Sequence, residues 1–520
     1  MVKRCILIFV AMCVVLFITD CGKEKKATWT IIAYMDGNNN LDISQNNTSF
    51  VISDAQEMET VGSSEDVEII AMVSSLKKGG IAKYYHIEKF TNELPDSLSS
   101  PVLENLGTKD MSDKQTLKDF LVYARDKYPA EHYLLIVDDH GGGWRGSCSD
   151  EQNGAGGLMS MPDMKVALDT FKFDIICFHC CLMSMAEVAY ELKERSDYLV
   201  ASEFTMPMQS ILGTSKWLSA LVANPDITPE ELSKSIVEGV YNTANEKQKI
   251  CHMAACNLQL VSALGSKVSA LGNNLVTETG SYWNEVLDAF NQTHYTEYDD
   301  PAFVDLREFA KKIQQEPNLK NINLIYNAAQ EVIDAINSTV VMTMTNATGL
   351  TRGGLTIHLP YSTALFDSTN YVKISWASTN WHSFLSTFIA SCGGGGGDLT
   401  VSGVVNWPGH SLSNYCIAFL DTSHTNTIWP VGIVSVNPST GAYTISYPLS
   451  APLEAYVEAF DDVNNNGYID TGEGLGYWDA NGNGNWDDMV TFQPGQTVNN
   501  ANITLFTVSK RQGTAGWQRN

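Results

Sequence analysis

Short apolar runs alternate with amphipathic stretches up to about residue 391. Trp29–Met35, Val67–Val73, Tyr133–Val137, Phe173–Phe178 and Tyr198–Glu203 are apolar runs of strand length closed by turn or polar residues. Such runs fit strands buried on both faces, as in a parallel sheet. Lys83–Lys89 alternates and fits a strand near an edge. Between the runs lie helical periods. Ser112 can cap a helix running to about Lys127, with Leu117, Phe120, Leu121 and Ala124 on one face. Further helices are predicted over Pro162–Thr170 and Leu182–Glu194, and from Thr228-Pro229-Glu230-Glu231 to about Asn245. Two more follow near 303–315 and 320–336, then strands within Val340–Pro360. Strands alternating with helices imply a parallel α/β layer fold.

The texture changes after the five glycines Gly393–Gly397, a flexible linker by composition. Beyond them short alternating runs, such as Leu399–Val405, Tyr415–Leu420, Ala442–Tyr447 and Ala455–Phe460, are separated by Gly, Pro and Asn turns. They predict a small β-sandwich. The expected organisation is a leader and tether over 1–26, an α/β domain over 27–391, a linker over 392–398, a β-sandwich over 399–507 and a tail over 508–520.

The leader carries Lys3 and Arg4 before an apolar run from Cys5 to Ile18, too short for an ordinary membrane span and suited to a signal peptide. Cys21 directly after it resembles the lipidated cysteine of a bacterial lipoprotein, although Asp20 stands where a small residue is expected. The expected location is therefore the cell envelope, by membrane anchoring through Cys21, or outside the cell. A net charge of −26 opposes binding to nucleic acid or an anionic bilayer through a basic surface. The eleven cysteines have no regular disulfide spacing, so most are expected to be core thiols. A monomer is expected.

Two of the apolar runs end in chemistry. One closes on His140 and the glycines 141–143, the other on His179-Cys180-Cys181. Catalytic groups collect at the carboxyl ends of parallel strands. An imidazole beside a thiol can hold it as the thiolate that attacks carbonyls. Cys181 is the candidate nucleophile, with Cys180 its rival, and His140 is the candidate base. The helix predicted from Leu182 would put its positive end at the thiol. The Gly141 and Cys181 amides are candidate donors to an oxyanion. His-Gly-Gly-Gly also resembles the oxyanion loop of lipases, but the chain lacks the Gly-x-Ser-x-Gly elbow which that reading needs.

The order of landmarks resembles the clostripain family, in the caspase, legumain and gingipain clan of cysteine peptidases. Trp29–Met35 with Asn38-Asn39-Asn40-Leu41 come first, then His140–Trp144 and Cys181-Leu182-Met183 with Glu187–Leu192. Ala201-Ser202-Glu203, Asp305-Leu306 with Phe309-Ala310, and Gly354–Ile357 with Pro360 follow. The resemblance implies a caspase-like three-layer sandwich with a mostly parallel central sheet. It also implies a Cys181–His140 dyad acting on protein or peptide substrates, without a cofactor for the chemistry. Such enzymes typically cleave after Arg or Lys and usually have Asp two residues before the nucleophile. Here that residue is His179. The loop after the Ala201 strand offers Glu203 and Gln209 where a further acidic residue is expected. With His179, Glu203 and Gln209 as its pocket candidates, the chain is expected to have a P1 preference changed from Arg or Lys. The rival reading is a catalytically silent binding or adhesion protein on the same fold.

The C-terminal region carries a further signal. From Asp462 to Glu473 the sequence fits a twelve-residue calcium loop. Side-chain oxygens come from Asp462, Asn464, Asn466, Asp470 and Glu473, with Gly467 at the turn and the carbonyl of Tyr468 as the backbone ligand. Its flanks read as strands rather than helices. Asp479, Asn481, Asn483 and Asp487 begin a second such loop that lacks the closing Glu. Structural Ca2+ is expected here.

Overall fold

The computed structural model describes residues 26–42, 49–90, 97–169, 171–207, 211–293, 300–347, 352–361, 365–392, 398–422, 427–428, 430–449, 453–463, 470–482, 484, 489–493, 495–509 and 517–518. Cys21, Gln209, Asn464, Asn466, Tyr468, Asn483 and Asp487 lie outside these. No helix among the described residues is long and apolar enough to cross a membrane.

The predicted apolar runs form one nine-stranded sheet. Its strands are β1 (Ala27–Gly37), β2 (Val67–Ser75), β3 (Ile81–His86), β4 (Val102–Thr108), β5 (Ala130–Asp138), β6 (Phe173–His179), β7 (Ser196–Ala201), β8 (His252–Asn257) and β9 (Val340–Thr345). The order is β9-β8-β7-β6-β5-β1-β2-β3-β4. The inner five, β2, β1, β5, β6 and β7, are parallel, and the outer pairs on both sides are antiparallel. β3 is not the edge. The mostly exposed β4 lies outside it, with too little apolar alternation to be read from sequence.

Both faces of the sheet are covered, which is why its strands lack a polar side. Ile32, Leu135, Val137, Ile176 and Phe178 face α2 (Lys114–Lys127) and its neighbours. Ile31, Ala33, Ile136, Ile175 and Cys177 face the second helical layer. That layer includes α1 (Phe50–Glu59), α5 (Thr214–Ala223) and α6 (Pro229–Glu246). Each such aliphatic or aromatic side chain contributes roughly 1.5–3 kcal/mol on burial. The result is the three-layer α/β sandwich. α2 is capped by Asp113 rather than Ser112. Thr228 and Glu231 close the predicted capping box of α6.

Beyond Cys392 the next described element is the strand Asp398–Asn406. It pairs with Ala442–Pro448 as far as Val404 and with Ile503–Thr507 from Val405. One strand thus serves both β layers around a core including Leu399, Val401, Ile445 and Val457.

Candidate active site

The parallel register of β5 and β6 pairs Asp138 with His179. His140 and Cys181 each stand two residues beyond that pair, so the sheet delivers them side by side. They emerge next to β1, where the chain order switches sides of the sheet. This is the crevice in which open α/β sheets place their chemistry. Gly141 locks the two segments together. A β-carbon built there would lie 2.2 Å from the Cys181 carbonyl oxygen and 2.9 Å from Cys180 Cβ, so only glycine permits the approach.

The loop carrying His140 turns back on itself. Cys148 N–H donates to the His140 carbonyl and Gly142 N–H to the Gly146 carbonyl. Those bonds leave the Gly141 N–H unused by the turn. Three consecutive asparagines after β1 hold this loop. Asn38 Nδ2 donates to Asp150 and Asn39 Nδ2 to Asp139 and the Ser149 carbonyl. Asn40 Oδ1 accepts from His140 Nε2 at 2.7 Å. That bond puts the ring proton on Nε2 and leaves Nδ1 unprotonated in the neutral ring. Sequence reading quoted Asn40 only as a landmark. Its role depends on side-chain direction, but an Asn run closing a strand beside the His strand was the available signal. Burial pulls the His140 imidazole below its ordinary value.

Cys181 is partly exposed, and its sulfur accepts from the Met206 N–H at 3.3 Å. The residue after it, Leu182, is left-handed with φ 65°, a strained conformation for leucine. The helix predicted from Leu182 starts later, at Ala186, and is the seven-residue α4 (Ala186–Leu192). Leu182 and Ser184 instead donate their N–H groups to the carbonyls of Phe204 and Ser202. These bonds to the segment just after β7 outcompete the local helix. The expected helix end at the sulfur is therefore corrected: nothing of that kind lowers the thiol. Burial pushes Cys181 up from its ordinary value, with the Met206 N–H opposing. Both shifts favour the neutral forms of the two groups. Alkylation of Cys181 by iodoacetamide should therefore keep rising with pH past roughly 8.5, the ordinary thiol value. A rate plateau already reached below pH 7 would show an ion pair instead.

Cys180 turns to the other face of the sheet. It is fully buried, accepts from Ser147 Oγ and donates to the Val137 carbonyl, and burial raises its thiol well above the ordinary value. His179 is also fully buried, with Nδ1 2.8 Å from Asp138 Oδ1 and 3.5 Å from Asp54 Oδ2. Burial would pull this imidazole down. The charge and hydrogen bond of Asp138, with Asp54 and Glu57 behind, outweigh that and push it up to about 9. Glu203 is buried too. It accepts from the Gly354 N–H and stands 3.5 Å from Arg352 Nη1. As placed, His179 and Glu203 are interior groups, and neither lines an open pocket as the sequence led us to expect. Strand periodicity gives the face of a side chain but not its depth.

The clostripain family profile matches residues 33–388. Clostripain of Hathewaya histolytica is 23% identical over 443 residues, covering 70% of this chain and 81% of that protein. A secreted cysteine protease from Bacteroides thetaiotaomicron, solved with an irreversible peptide inhibitor, superposes with a TM-score of 0.52 at 19% identity. The match covers 68% of this chain and 99% of that one. An inactive zymogen protease from Parabacteroides distasonis superposes with a TM-score of 0.51 at 18% identity, over 68% and 98% of the two chains. A match over more than half the chain, on the fold and strand ends described above, means that the protein belongs to the clostripain family of cysteine peptidases.

Proposed function

We propose that this endopeptidase works through Cys181 as nucleophile and His140 as base. The observation that carries this is the adjacency of the two strand ends, with Gly141 packed on the Cys181 carbonyl. As a peptide carbonyl enters, His140 Nδ1 takes the thiol proton and Sγ attacks the carbonyl carbon. The Met206 N–H already on the sulfur steadies the thiolate as it forms. The Gly141 N–H is positioned to donate to the oxyanion. The proton on His140 then passes to the leaving amine, and water, activated by the same imidazole, hydrolyses the thioester.

The proposed P1 preference is not for Arg or Lys. At the position two before Cys181 the chain has His179, tied to Asp138, and the nearby Glu203 is committed to Arg352 and Gly354. A basic side chain there would face the imidazole of His179, which Asp138 pushes up to about 9, in place of the carboxylate the family usually has, and two like charges buried together disfavour each other. Cleavage of a peptide library should show no enrichment of Arg or Lys at P1. Strong selectivity for either would overturn this reading.

The leader supports export, in keeping with the description of the B. thetaiotaomicron protein as secreted. Cys21 is the proposed lipidation site. For the C-terminal loop we propose structural calcium. The strands Leu453–Asp461 and Gly474–Tyr477 pair as a hairpin, with Asp461 opposite Gly474. That pairing sets Asp462 and Glu473, the first and last carboxylates of the loop, next to each other, and both are buried. Asp470 N–H donates to Glu473 Oε2. This donor set of hard oxygens fits Ca2+. In calorimetry, calcium should raise the unfolding temperature of wild-type protein but not of Asp462→Asn/Glu473→Gln. An equal rise in both would refute the site.

A further inference from the structure

Beneath the candidate dyad lies a cluster that the peptide chemistry does not use. Asp54 comes from α1, Asp138 from the end of β5 and His179 from the end of β6. One donor atom from each lies within 4.8 Å of the other two. All three side chains are at most 1% exposed. Asp138 Oδ1 and His179 Nδ1 satisfy each other, but the rest of the cluster is not satisfied. Both oxygens of Asp54, Oδ2 of Asp138 and Nε2 of His179 have no hydrogen-bond partner among the described residues. A buried carboxylate is normally hydrogen-bonded or ligates a metal. Asp54 lies with Oδ2 3.5 Å from His179 Nδ1, so its bare oxygens belong to this cluster.

We propose that Asp54, Asp138 and His179 form a binding site for one divalent transition-metal ion, of the zinc type. The donor set decides the class of ion. Two carboxylates and an imidazole suit zinc, whereas calcium and magnesium prefer all-oxygen shells. Tetrahedral donors about 2.0–2.1 Å from zinc stand roughly 3.4 Å apart. Asp54 Oδ2 is already 3.5 Å from His179 Nδ1, and the 2.8 Å contact of His179 with Asp138 needs only to open as the ion replaces their hydrogen bond. Charge decides the rest. The ligands bind in their deprotonated forms, and the protons held by the cluster pass to solvent as the ion enters. Two carboxylates then balance the dication, and the filled site is neutral. Proton and metal are thus alternative occupants of one buried cluster. Because Asp138 and His179 precede His140 and Cys181 by two residues each, the ion would clamp both strand ends and α1 beneath the dyad.

The test uses the full chain carrying Cys181→Ala, which removes the thiol as a competing ligand, with calcium in excess to fill the C-terminal loop. After zinc loading and gel filtration, elemental analysis should find one zinc per chain. Adding the near-isosteric Asp54→Asn to that protein should reduce retained zinc at least tenfold. Should that variant fold poorly, cobalt loading of the Cys181→Ala protein answers without it. Visible d–d bands with no sulfur-to-cobalt charge-transfer band support nitrogen and oxygen ligation. Loss of zinc from the Cys181→Ala protein during filtration overturns the site, as does undiminished retention in Asp54→Asn or a cobalt protein without d–d bands. None of these readouts depends on peptidase activity.

Discussion

Cys181→Ala is expected to lower peptide hydrolysis by at least about 10⁴-fold, as removal of a nucleophile does in other covalent hydrolases. The same substitution should abolish covalent labelling by a peptidyl acyloxymethylketone, which needs an attacking sulfur. Cys180→Ala should do neither. Cys180 lies on the opposite face of the sheet, bonded to Ser147 and Val137, and its loss should cost stability of about 1 kcal/mol with the rate within a few-fold of wild type. The pair of variants thus separates two adjacent thiols that composition cannot. Labelling that survives in Cys181→Ala and vanishes in Cys180→Ala would reverse the assignment. No labelling of the wild-type chain by any peptide sequence would favour the binding-protein reading.

Gly141→Ala is expected to cost about 10²-fold in kcat, the scale on which a displacement near 1 Å is felt in positioned catalysis. The added methyl would meet the Cys181 carbonyl oxygen at 2.2 Å and Met183 Cγ at 2.9 Å. Met183 can yield, but the carbonyl belongs to backbone pinned by the bond from Leu182 N–H to Phe204. The two strand ends must therefore separate. The loss should fall on kcat more than on KM, because the change acts on the distance between base and sulfur. Circular dichroism should confirm that the fold survives. Activity within threefold of wild type would show that the two segments are not in the close contact described above.

Much of this was legible in the chain. The parallel strands were readable because burial on both faces leaves continuous apolar runs, as in Leu134–Val137 and Ile175–Phe178. His140 and Cys181 stand out as candidates because they end two such runs. What escaped was set by contacts between distant segments. The start of α4 was misplaced because Leu182 and Ser184 bond to the segment after β7 rather than to their own helix. His179 was assigned to a pocket, whereas Asp54, 125 residues away in sequence, and Asp138 hold it inside. The hydrogen bond from His140 to Asn40 spans 100 residues, and the run of asparagines closing β1 is its only trace in the sequence.

The switch of sides between β1 and β5 also governs how this enzyme comes into being. β1 pairs with β5 across about a hundred residues, Trp29 opposite His132, so its closing contact arrives late. Bringing such remote segments together costs loop entropy before any pairing repays it, and topologies of this kind fold slowly. A growing chain that has not yet emerged past residue 181 holds the asparagines and the histidine but not Cys181. On the proposed dyad, the centre is complete only once both remote segments have been made.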